Sequence, residues 1–239
     1  VKLEIIYESE NIIAFNKPSG LRSIPDRFNA ELPNLHHLAE ARYGRLFIVH
    51  RLDKDTSGVI CFARNEEAHR YLSLLFQGRE VEKFYMALVN GRPMQAKGSI
   101  TEPIAEHPVK KGRMIVFKKG KPSHTDYEVI KSWSGYSLLR LQIHTGRTHQ
   151  IRVHLEHLGT PVVGDPLYGN GQPLFLSSIK KKFRLSDAEE AERPLLGRLA
   201  LHAQQIIFRD PGGNTISIEA PLPKDMEASV KQLDKWSQS

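Results

Sequence analysis

A chain of 239 residues with 40% hydrophobic and 26% charged side chains has ordinary globular composition and can bury a sizeable core as one large domain or two small ones, which excludes wholesale disorder and coiled coils. Its 17 glycines and 14 prolines follow no period, and its single cysteine, Cys61, can form neither an intrachain disulfide nor a cysteine-rich zinc site. Thirty-four Lys and Arg against 27 Asp and Glu leave a net charge of +7, which suits a polyanionic partner through phosphate neutralisation and counterion release.

No apolar run approaches the roughly 18–20 residues of a membrane span, and Val1-Lys2-Leu3-Glu4 carries no signal-peptide pattern. A soluble, cytoplasmic protein in a reducing compartment is expected.

In chain order, residues 3–15 read as a hairpin, with Ile5-Ile6-Tyr7 and Ile12-Ile13 around the polar turn Glu8-Ser9-Glu10-Asn11. Asn16-Lys17-Pro18-Ser19-Gly20 breaks regular structure. Residues 59–63 form a short buried strand. Asn65 then caps a helix with Ala68, Leu72 and Leu75 on one face and Gly78 as its stop. Residues 81–89 alternate as a strand, and residues 125–133 and 136–144 flank Ser134-Gly135 as a hairpin.

Thr148 is placed to cap a helix over 149–158 with the stripe Ile151, Leu155, Leu158, ended by Gly159 and Pro161. Residues 170–197 run from basic (Lys180–Arg184) to acidic (Asp187–Glu192) and read as a surface insertion with some helix. A last hairpin turns at residues 210–214, and residues 227–236 form an amphipathic tail helix. Strands outnumber helices and pair mostly through hairpins, so the expected class is α+β with a mainly antiparallel sheet flanked by helices and loops.

Two basic clusters stand out. Lys110 to Lys121 holds six Lys or Arg and no acid, and Lys180-Lys181-Lys182 with Arg184 forms the second. Common catalytic patterns fail: there is no phosphate loop and no Gly-x-Ser-x-Gly elbow, Leu174 occupies the third glycine position after Gly169-Asn170-Gly171, and His50-Arg51-Leu52-Asp53 lacks the rest of a kinase. His149, His154 and His157 share a helix. However, 149 and 154 lie about 140° apart at 3.6 residues per turn, so the three cannot meet at one ion, and no metal site is expected.

Three polar segments remain. His50-Arg51-Leu52-Asp53-Lys54-Asp55-Thr56-Ser57-Gly58 crowds carboxylates, cations and hydroxyls at a strand edge. In Glu82-Lys83-Phe84-Tyr85-Met86-Ala87-Leu88, Lys83 and Tyr85 share one face of a strand, a pattern that is ordinary by itself. Thr145-Gly146-Arg147-Thr148-His149-Gln150-Ile151-Arg152 places cations at a helix N-terminus, a natural phosphate clamp. Arg152 sits at the edge of the buried stripe and needs a carboxylate partner, for which Asp53 is the candidate.

Together with Asn16–Gly20, Gly164-Asp165-Pro166-Leu167-Tyr168-Gly169 and Leu201-His202-Ala203, these segments resemble the RluA-type pseudouridine synthases, in order and over nearly the whole chain. The resemblance implies a single catalytic domain over 1–239, of two subdomains about a central RNA-binding cleft, without an N-terminal S4-like domain. It implies isomerisation of uridine to pseudouridine in ribosomal or transfer RNA, with no cofactor and no metal; a monomer is the favoured state. By the same resemblance Asp53 is the nucleophile or base, Arg152 the cation that keeps it ionised, and Tyr85 the ring packed on the uracil. Arg51, Arg147 and His149 are candidates for holding the RNA backbone around an extruded base, and Lys17 a further one. The alternatives are a catalytically idle RNA-binding or ribosome-assembly factor of the same fold and, more distantly, a metal-dependent hydrolase.

Overall fold

The computed structural model describes residues 3–26, 29, 31–185 and 191–237. In chain order its elements are β1 (Ile5–Glu8), β2 (Ile12–Lys17), α1 (Leu35–Tyr43), β3 (Phe47–Ile48), β4 (Ser57–Ala63), α2 (Glu66–Gly78) and β5 (Glu82–Asn90). Then follow β6 (Lys97–Ile100), β7 (Ile104–Glu106), β8 (Met114–Val116), β9 (Thr125–Trp133), β10 (Tyr136–Ile143), α3 (Gln150–His157), β11 (Leu201–Arg209), β12 (Thr215–Glu219) and α4 (Lys224–Trp236). The class is α+β with mostly antiparallel pairing, as expected. No described helix is long and apolar enough to cross a membrane.

The chain divides into two compact units, one of residues 1–85 with 202–221, the other of 86–201 with 222–239. In the first, strands run in the order β1-β2-β4-β11, with β12 beside β11 and β3 beside β4. β2 and β4 pair antiparallel from Ile12↔Ala63 to Lys17↔Gly58. β11 meets β4 in parallel at His202↔Ser57 and Ala203↔Gly58, which makes the sheet mixed. Gly58 is obligatory there: its φ is +114°, and a Cβ would lie 2.0 Å from the Ala203 carbonyl oxygen.

All seven residues of β4 are buried, because both sheet faces are covered. Val59, Cys61 and Ala63 point to one core with Leu72, Leu75 of α2 and Phe208. Ile60 and Phe62, at the alternate period, point to another with Phe15, Leu35 and Leu52. The Cys61 thiol is buried.

α2 follows its expected pattern: the Asn65 side chain accepts from Ala68 N–H, and Ala68, Leu72 and Leu75 are the buried residues. Its stop differs. Gly78 is still helical, and Arg79 takes the left-handed turn at φ 62° while its N–H bonds back to the last carbonyls.

In the second unit the order is β5-β10-β9-β6, with β7 and β8 as a separate pair. The β9/β10 hairpin forms as read, from Tyr136↔Trp133 to Ile143↔Thr125. α3 is buried at every residue from Gln150 to Leu155. Its N-cap is His149 in the left-handed region, φ 55°, with no capping side-chain bond; Thr148 is not the cap. The inward side chain of Gln150 ties down the preceding turn, accepting from Arg147 N–H at 3.0 Å and from the Thr145 hydroxyl at 2.7 Å.

The 170–197 segment is less of a surface feature than its composition suggests. Leu174 and Leu196 are buried and joined by backbone hydrogen bonds of 2.9 and 3.3 Å, and its described residues contain no helix. The acidic stretch at 187–190 lies outside the described residues.

Candidate active site

The seven side chains singled out from sequence fall in both units: Lys17, Arg51, Asp53 and Tyr85 in the first, Arg147, His149 and Arg152 in the second. Asp53 is half-buried in a turn between core residue Leu52 and β4, closed by a 3.2 Å bond from Thr56 N–H to the Asp53 carbonyl.

The segment after β2 braces that turn. Lys17, 0% exposed, donates its three ammonium protons to the carbonyls of Pro18 (3.0 Å), Leu21 (2.7 Å) and Lys54 (2.9 Å). A buried ammonium is tolerated only with its donors accepted. Lys17 therefore holds its ammonium inside the brace, away from solvent.

Three more bonds complete the brace. Gly20 N–H also reaches the Lys54 carbonyl (3.0 Å), and the Ser19 hydroxyl donates to the Asp55 carbonyl (2.6 Å). Ser23 Oγ both donates to the Leu52 carbonyl (2.8 Å) and accepts its N–H (3.0 Å). Backbone groups on both sides of Asp53 are thus held by neighbours distant in sequence. Neither serine drew attention in the sequence, because a hydroxyl's acceptor cannot be known before the fold.

Tyr85 is half-buried against the core cluster that contains Leu52 and Phe15. Burial raises its phenol above the ordinary tyrosine range, and the Asp53 carboxylate adds to the shift by opposing a second negative charge. Arg51 is exposed beside this turn. His50 is structural: its Nε2 accepts Cys61 N–H at 2.9 Å, and its ring stacks on Phe76 at 4.7 Å. Burial, reinforced by the Lys83 charge, pushes His50 down to about 3, so the ring is neutral and its proton sits on Nδ1.

In the second unit Arg152 is only 4% exposed. Asp165 takes the Nε–Nη2 edge of its fork at 2.7 and 2.8 Å. The Gly164–Gly169 motif thus supplies one carboxylate partner for this buried arginine. Asp165 also accepts the N–H groups of Leu167 and Tyr168. Burial opposes its ionisation, but the bonds from Arg152 and the two amides outweigh it and hold the carboxyl below its usual range. The Tyr168 ring lies under the guanidinium at 4.9 Å, and its hydroxyl bonds to His149 Nδ1 at 2.9 Å.

Arg147 Nε donates to the Pro122 carbonyl at 3.0 Å. It lines a groove of about 410 Å³ together with Lys119, Gly120, Lys121, Gly146 and Thr148. The fold brings part of the first basic cluster to the N-terminal end of α3. Gly120 permits that approach, since a Cβ there would sit 2.6 Å from the backbone of Ile104. Lys180, of the second cluster, lies over the Trp236 ring at 4.7 Å. His154 is a core residue, 0% exposed, bonded to Thr125 Oγ1 and the Glu102 carbonyl.

The sequence profile described as RNA pseudouridylate synthase matches residues 11–157, and the chain belongs to that family of isomerases. A ribosomal large subunit pseudouridine synthase D from Nitrosomonas europaea is 38% identical over 239 residues, covering 98% of this chain and 66% of the relative. One of the same description from Escherichia coli K12 is 38% identical over 247 residues, covering 98% and 71%. The chain thus spans about two thirds of the length of these relatives. Among solved structures, human RNA pseudouridylate synthase domain containing 4 superposes with TM-score 0.72 at 28% identity, covering 97% of this chain and 93% of that one.

Proposed function

We propose that this chain isomerises uridine to pseudouridine in RNA of the large ribosomal subunit, with Asp53 as nucleophile or base. Tyr85 packs on the uracil and Arg152 is the catalytic cation. The observation that carries this reading is the turn at Asp53: a half-buried carboxylate, its backbone braced by Lys17, Ser19 and Ser23, set within electrostatic reach of a tyrosine. A rigid frame of this kind is what positioned chemistry on a base requires. The ribosomal substrate follows the relatives named above.

A uridine in structured RNA must first leave its stack, at about a few kcal/mol. Arg51, Arg147 and His149 offset that cost by holding the flanking backbone, and the groove of Lys119, Lys121 and Arg147 extends the track. A cytoplasmic location and a monomeric state belong to the same reading.

Incubation with ribosomal RNA tritiated at uridine C5 tests it. The chain releases label, and Asp53→Asn releases none while binding RNA as before. Turnover retained in Asp53→Asn overturns the catalytic assignment. RNA bound by the unsubstituted chain without release makes it an idle binding factor, and release from transfer RNA alone reassigns the substrate.

A further inference from the structure

A second constellation of chemistry-bearing side chains lies where the β9/β10 hairpin opens. His124 directly precedes β9, Asp126 is the second residue of β9, and His144 directly follows β10. The backbone pairs His144 N–H with the His124 carbonyl at 3.1 Å, and Asp126 opposite Gln142. Residues 124 and 126, two apart on an extended chain, face the same way, and register puts His144 beside them. The two imidazole rings stack at 4.3 Å, and both aim Nε2 at the one carboxylate: His124 at Oδ1 (2.9 Å), His144 at Oδ2 (2.7 Å).

We propose that His124, Asp126 and His144 form a binding site for a divalent transition metal of the zinc class. The donor atoms lie within 4.8 Å of one another. A zinc ion with bonds of about 2.0–2.2 Å holds tetrahedral donors roughly 3.3 Å apart, so small side-chain rotations close the set. Two imidazoles and one carboxylate are the ligand types that favour Zn²⁺ and Fe²⁺ over Mg²⁺ or Ca²⁺, which prefer oxygen alone.

The surroundings are those of a supported site. Ser99, opposite Asp126 in β6, donates its hydroxyl to Asp126 Oδ1, and Thr145 Oγ1 accepts His124 N–H at 3.0 Å. Such outer bonds orient ligands before the ion arrives. The three side chains are 37–40% exposed, which leaves an entry path and a remaining position for water. A bound ion clips the start of β9 to the end of β10, immediately before the Thr145–Thr148 turn that carries Arg147. The helix histidines His149, His154 and His157 take no part.

The test is titration of the purified full chain with Zn²⁺ against a competing chromophoric chelator, and with Co²⁺ by visible absorption. One equivalent binds saturably, and Co²⁺ gives the absorption of a low-coordinate nitrogen–oxygen site. Asp126→Asn, which keeps the shape of the side chain, and the double variant His124→Ala/His144→Ala lose that binding, while His157→Ala keeps it. Ser99→Ala weakens it by about 10–100-fold, as expected for an outer-shell bond. Zn²⁺ also raises the melting temperature of the unsubstituted chain and leaves that of Asp126→Asn unmoved. Absence of saturable binding overturns the proposal, as does an equivalent that persists in Asp126→Asn or in the double variant.

Discussion

Asp165→Asn is the sharpest probe of how Arg152 is held. The carboxylate is 0% exposed and accepts four hydrogen bonds, two from a guanidinium that is itself 4% exposed. An asparagine can still accept the amides of Leu167 and Tyr168 and Arg152 Nη2 through Oδ1, but its NH₂ then confronts Arg152 Nε, donor against donor. Weakening a buried pair in this way costs up to about 3–5 kcal/mol. Against a typical total of about 5–15 kcal/mol, and a urea dependence near 2 kcal/mol per molar, the unfolding midpoint falls by roughly 2 M. The wild-type contribution is complete at neutral pH, because the Asp165 pKa is lowered on folding, and it disappears only as the pH falls below 3.8 through the folded value. Urea denaturation at pH 7.5 measures the loss, and Asp165→Leu combined with Arg152→Met restores part of it, since that pair removes both charges. A loss for Asp165→Asn below about 1 kcal/mol, typical of surface pairs, would refute the reasoning.

His50 makes stability depend on pH. Below 6.5 the unfolded chain takes a proton that the folded ring refuses until the pH nears 3, so acid destabilises, by about 2 kcal/mol at pH 5 at 1.36 kcal/mol per unit. His50→Gln keeps an acceptor for Cys61 N–H and removes the titration; equal losses in both chains between pH 7.5 and 5 would contradict the assignment. Lys17→Met strands the carbonyls of Pro18, Leu21 and Lys54, destabilises by about 1–3 kcal/mol and lowers kcat by loosening the Asp53 turn while RNA affinity holds. A variant with normal kcat and weakened RNA binding would restore Lys17 as an RNA contact. Replacing Lys119, Lys121 and Arg147 by Ala reduces the slope of log affinity against log salt by about 2–3, and an unchanged slope would place RNA elsewhere.

Local patterns were legible wherever one element supplies its own signal. α2 is written in Asn65 and in the spacing of Ala68, Leu72 and Leu75, and β9 with β10 in their alternation around Ser134-Gly135. The motif residues Asp53, Tyr85 and Arg152 could be named from resemblance. What escaped depends on partners brought together by the fold. α1 buries only Leu35, His36 and Ala39, too weak a stripe to mark a helix. The cap of α3 was misplaced because the helix opens on a left-handed His149 with no capping side-chain bond, a start with no local signature. Lys17 looked like a surface cation because burial of an ammonium depends on three carbonyls up to 37 residues away. Asp165 was quoted inside a motif but had no visible partner until Arg152 was placed beside it. The cluster of His124, Asp126 and His144 exists only through strand register.

The parallel contact of β4 with β11 has a bearing on how the chain reaches this state. The strand that follows Asp53 receives a neighbour at Gly58 from Ala203, some 145 positions later. At about 5–20 residues per second on the ribosome, the nascent amino-terminal half waits on the order of ten seconds for the piece that completes it. During that interval one edge of a strand made almost wholly of apolar residues has no β11 beside it. Aggregation of fragments ending before residue 201 is the expected cost of building a unit from both ends of a polypeptide.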